Sequence, residues 1–172
     1  MNTIRKNQGF TLVELLLYVS VIGGLLIALS MFFATTVEAR IKTQSIMEVD
    51  QQGALAMDYM LQTIRNADSV TSPTPPNNSN TLTLVVPTGS LSPTIFDTSG
   101  SNALQVKEGV AAAIPLTNNK VAISGLSFTN LTRSGTPGVV RVSFTISRVN
   151  TAGRNPYEYQ KTFTSTAALR RP

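Results

Sequence analysis

Glu14 is the only charged residue between Phe10 and Ala34, in a stretch that otherwise reads as apolar: "FTLVELLLYVSVIGGLLIALSMFFA". A carboxylate in apolar surroundings costs a few kcal/mol even on mild insertion scales, and it persists where function supplies a partner. The chemistry open to it is ion pairing with a cation at matching depth. Elsewhere the candidate groups are sparse. Glu158 and Lys161 read as a surface pair, and Tyr157 and Tyr159 as strand packing rather than an adhesive edge. Arg170-Arg171 offers only two charges toward DNA or an anionic surface. The chain has no cysteine and no histidine, which removes disulfides, thiolate metal sites, cysteine nucleophiles and any Ser-His-Asp triad. No catalytic constellation assembles, and no cofactor is implied.

The element that positions Glu14 is a helix of membrane length. Phe10 to Ala34 is 25 residues, where about 20 span a bilayer core. The flank "MNTIRKNQG" carries Arg5 and Lys6 and no acid, which places that end on the cytoplasmic side and the rest of the chain outside it. A secretory signal has an apolar run of only about 7–15 residues, so this one is too long. A plain signal anchor fits the length and flank but leaves Glu14 unexplained. A cut between Gly9 and Phe10 would retain the helix and create an α-amino group on Phe10, a cation four residues from the acid.

"KNQGFTLVELLLYVSVIGGLL" resembles the class III signal of type IV pilins and type II secretion pseudopilins. The resemblance implies cleavage after Gly9 by a prepilin peptidase, methylation of the Phe10 amine, and a role in filament assembly for Glu14, the fifth residue of the mature chain. Thr11-Leu12 and the short basic leader match as well. One departure is that no proline precedes Pro73; Gly23-Gly24 is the only helix-weakening feature of the span, at about 1 kcal/mol per glycine against alanine, and close packing by small residues explains it equally well.

Past Ala34 an amphipathic pattern continues. Ala54, Met57, Leu61 and Ile64 recur at helical spacing, Met60 and Ala67 widen the stripe, and Val37 and Ile41 extend it upstream. One helix from about Phe10 to Asp68 would measure on the order of 88 Å, with Gly53 counting against its being unbroken. "SPTPPNNSN", Ser72 to Asn80, reads as a connection. Five short alternating runs follow: Thr81–Val86, Ala103–Gly109, Val121–Leu131, Gly138–Val149 and Tyr157–Leu169. In the fourth, Val140, Val142, Phe144 and Ile146 alternate with Arg141, Ser143, Thr145 and Ser147, the half-buried antiparallel pattern. The expected fold is α+β, with a long N-terminal helix packed on an antiparallel β-sheet. Its parts are a leader at 1–9, a membrane or filament-core helix at 10–34, and an extracytoplasmic domain at 35–172 with helix to 70 and sheet from 81 to 170.

This layout, with "LQTIRNADSV", "ISGLSFTNL" and "TFTSTAALR", is similar to minor pilins and J-type minor pseudopilins. The resemblance implies a structural subunit of the inner membrane and then of a filament, partnered by other pilins or pseudopilins and by membrane lipid. Pilin-like domains sometimes bind calcium, which draws attention to Asp97 and Glu108. Hard cations take about 6–8 oxygens, commonly from clustered acids, and these acids are isolated, so an exposed loop Asp is the simpler reading. The alternative function is a membrane-anchored DNA-uptake receptor whose sheet binds nucleic acid. Against it, charged residues are only 13% of the chain, and the net charge of +5 is scattered, without a basic stripe interleaved with aromatics.

Overall fold

The computed structural model describes residues 10–150, 153 and 157–170. The chain divides into two compact units, one reaching Arg40 and the other starting at Ile41. A single helix, α1 (Leu12–Asn66), runs through both.

In the first unit α1 is capped by Thr11, whose side-chain oxygen accepts the Glu14 N–H at 3.3 Å and whose carbonyl accepts the Leu15 N–H at 3.2 Å. Its large apolar side chains from Leu12 to Phe33 are exposed. The hydroxyls among them bond to the helix itself: Ser20 to the Leu17 carbonyl, Ser30 to the Leu26 carbonyl and Thr36 to the Phe32 carbonyl. By length and composition this helix is able to cross a membrane, and these hydroxyls need no water to be satisfied.

In the second unit α1 buries Ser45, Val49, Gly53, Ala56, Met57, Met60, Leu61 and Ile64. The expected stripe is present with two corrections. Ala54 is exposed, because it lies further round the helix than Leu61, and Ala56 takes its place. Val37 is exposed too, and the stripe begins with Ile41, half-buried, and Ser45. No break occurs at Gly53. A side chain there would collide with the Phe163 ring, so this glycine serves close packing of helix on sheet.

The helix packs on two antiparallel sheets. The first contains β1 (Ser69–Ser72), β3 (Leu82–Val85), β4 (Thr94–Thr98), β5 (Leu104–Glu108) and β6 (Ile114–Pro115) in the order β1-β3-β4-β5-β6. The second contains β2 (Asn78–Ser79), β7 (Val121–Asn130), β8 (Val139–Arg148) and β9 (Gln160–Ala168) in the order β2-β7-β8-β9. Strand structure thus begins at Ser69, which corrects both the helix end expected near 70 and the sheet start expected at 81. Helix 12–66 gives way once the Ala67 N–H bonds Ile64 and the Asp68 N–H reaches the Val85 carbonyl. The proline-rich connection contributes the two-residue edge strand β2, which pairs with Thr129 and Phe128.

β8 forms the centre of the second sheet, with Val140, Val142, Phe144 and Ile146 fully buried. β7 carries a bulge between Ser124 and Ser127, made possible by Gly125 at φ +61°. The extra residue resets the alternation, so Ile123, Leu126 and Phe128 all face the core. The stacked pair Phe144–Phe163, 5.6 Å between centroids, fills the space against Gly53.

Residues from about Thr35 onward are expected to fold as a monomer with mixed helix and sheet. In that fragment Leu61→Asp is expected to cost several kcal/mol, the order of an unpaired buried charge. Thermal or urea unfolding measures it, and equal melting of variant and parent would overturn the assignment of the buried helix face.

Candidate assembly site at the start of the helix

Phe10 is the first described residue and is exposed, and Gly9, Arg5 and Lys6 lie outside the described residues. Thr11-Leu12-Val13-Glu14 has the spacing of a helix-starting box, with Thr11 as cap and Glu14 at the third helical position. Thr11 makes its half of the box by accepting the Glu14 N–H. An acid in the first turn also faces the positive end of the helix dipole, worth about 0.3–1 kcal/mol. Glu14 therefore has a local reason to stand at this position. The Thr-x-x-Glu signal was legible in the sequence and carries half of the answer to why a carboxylate sits here.

The Glu14 side chain turns to Tyr18. The phenol donates to Glu14 Oε1 at 3.2 Å, across the i, i+4 spacing that brings side chains together on one helix face. Phe10 meets the Tyr18 ring edge-on, with centroids 6.0 Å apart. Phe10, Glu14 and Tyr18 thus form one cluster at the start of α1. Sequence reasoning singled out the first two and missed the tyrosine, whose signal was its place one turn beyond the acid.

The remaining candidates are held elsewhere. Asp97 accepts from Gln105 Nε2 at 2.7 Å, and Glu108 accepts from the Tyr59 hydroxyl at 3.1 Å. The register pairs Asp97 with Gln105 and Glu108 with Thr94, which sets the two acids three rungs apart, about 10 Å along the strands. The structure does not bring them together. Among the described residues no group of three or more His, Cys, Asp or Glu converges as metal ligands. Lys161 pairs with Asp50 on α1 at 2.9 Å; this contact raises the lysine pKa and replaces the expected partner Glu158. Tyr159 packs against the core, and Tyr157 lies 6.0 Å from the Arg148 guanidinium. Arg170 donates its backbone N–H to the Arg65 carbonyl, and Arg171 lies outside the described residues.

Two polar sites carried no sequence signal. Glu48, mostly buried, faces Arg148 at 3.7 Å and Lys120 at 3.9 Å and accepts from Asn118 Nδ2. It joins α1 to the approach to β7 and the end of β8. Burial, aided by Glu108, raises the pKa of Tyr59 above its ordinary value. A cavity of about 250 Å³ is bordered by Asp68, Pro75, Asn130, Thr132 and Leu169. Its Asn130 donates to the Pro73 carbonyl and its Thr132 hydroxyl accepts from Val139, so these groups hold loops together.

Comparison with protein-family models, with curated proteins and with solved structures finds no match to the chain.

Proposed function

We propose that this chain is a minor structural subunit of a type IV pilus or a type II secretion pseudopilus. It is anchored in the inner membrane by residues 10–34, with the following residues outside the cytoplasm. A prepilin peptidase cuts it between Gly9 and Phe10, the new amine is methylated, and the subunit is then drawn into a filament with other pilins or pseudopilins. The observation that carries the reading is α1 from Leu12 to Phe33, whose large apolar side chains are exposed and whose one charged residue is the acid in the first turn. Seventeen large apolar side chains between Phe10 and Phe33 are exposed. At about 1.5 kcal/mol or more for each when fully buried, their cover is worth tens of kcal/mol. Lipid supplies that cover before assembly, and neighbouring helices supply it afterwards.

Glu14 sets the register of the transfer. In the membrane it lies close to the cytoplasmic headgroups and its own chain's amine. In the filament it enters an apolar bundle, where the N-terminal amine of an adjacent subunit is the cation at the right depth. A subunit docked one step off would bury both charges unpaired, a larger penalty than the pair's net gain.

Intact-mass measurement of protein from membranes tests the processing. The expected product starts at a methylated Phe10, and Gly9→Ala slows or blocks cutting because a side chain obstructs approach to the backbone. Full-length protein starting at Met1 in a host with active peptidase contradicts the reading. Glu14→Leu is expected to keep cleavage and membrane insertion but to lower the fraction of subunit recovered in sheared filaments relative to membranes. Equal incorporation would remove Glu14 from the assembly step.

A further inference from the structure

A carboxylate accepts hydrogen bonds and offers none when ionised, so within an apolar stretch Glu14 depends on donors from its own helix or from a partner. Past the first turn each backbone N–H is committed to the carbonyl four residues back, and within it no backbone N–H of a described residue bonds the Glu14 carboxylate. The N–H of Glu14 itself goes to Thr11. Ser20 and Ser30 spend their hydroxyls on helix carbonyls. Tyr18 differs from them. Its hydroxyl donates to Glu14 Oε1 at 3.2 Å while its ring is braced by Phe10. Glu14 Oε2 has no partner among the described residues.

We infer that Tyr18 is the positioning residue for Glu14, holding one carboxylate oxygen so that the other is presented on the helix face shared by Phe10, Glu14 and Tyr18. The inference rests on the assembly reading of Glu14 and names the group that prepares it. An aromatic ring is compatible with lipid or with packed helices, and the phenol brings a hydrogen-bond donor to the acid without water. Phenylalanine keeps the ring and its contact with Phe10 and loses only the donor.

The test uses the full-length chain in vesicles and in cells. Raman difference spectra against Tyr18→Phe isolate the Tyr18 ring doublet, whose intensity ratio reports phenol donation. The expected result is a donor signature in wild type that is lost in Glu14→Leu; the same signature in both overturns the inference. In cells Tyr18→Phe is expected to lower filament incorporation about tenfold, the order carried by a hydrogen bond to a charged group, with cleavage unchanged. Combined with Glu14→Leu it should add no further loss, since Tyr18 acts through the acid. A full additional loss in the double variant, or wild-type incorporation of Tyr18→Phe beside an impaired Glu14→Leu, overturns the role of Tyr18 alone. Wild-type incorporation of Glu14→Leu instead overturns the assembly reading, while the Raman result still decides whether Tyr18 holds the acid.

Discussion

Among the described residues, nothing covers the large apolar side chains of α1 between Leu12 and Phe33. A helix in water stays folded when one stripe of apolar side chains is buried against something and the rest is polar. Here the large apolar side chains between Leu12 and Phe33 point to every side of the helix and are exposed. Apolar surroundings on every side suit such a segment, and by length and composition it is able to cross a membrane. The hydroxyls of Ser20, Ser30 and Thr36 already suit such surroundings by bonding to helix carbonyls.

Within that constraint Glu14 reads as a device with local support. Thr11 and the helix dipole favour an acid in the first turn, and Tyr18 occupies one of its oxygens. These contacts lower the cost of placing a carboxylate in an apolar segment without neutralising it. The second unit is stabilised by different means. α1 from Ile41 lies on two sheets through Met57, Met60, Leu61 and Ile64, with Gly53 admitting the Phe163 ring and Glu48 bridging to Arg148 and Lys120.

Periodicity made the long helix, its buried stripe and the inward residues of β8 legible in advance, because each is a repeat of apolar side chains at the spacing of its own backbone. Strands without that repeat escaped. In β4, Thr94 occupies a buried position where alternation calls for an apolar residue, and the Leu91 carbonyl satisfies its hydroxyl. In β1, Val70 is the only apolar residue of four. Contacts between distant residues left no local mark at all. Gly53 looked like a weak point because Phe163 is 110 positions away, and Glu48 gave no signal because Arg148 and Lys120 come from other elements. At the candidate site Glu14 stood out by its charge. Tyr18 did not, since an aromatic residue in an apolar run looks like more of the same until its hydroxyl is followed to an acceptor.

The claim that other helices cover the first unit of α1 is tested most directly by photo-cross-linking in living cells. A benzophenone amino acid placed singly at Leu16, Ile22 or Phe33, all exposed side chains, reports what lies against each. The account gives covalent adducts with partner pilins at these positions in filaments sheared from the cells, and adducts with lipid in the membrane pool. Lipid adducts alone, with no protein partner at any of the three positions, would contradict it.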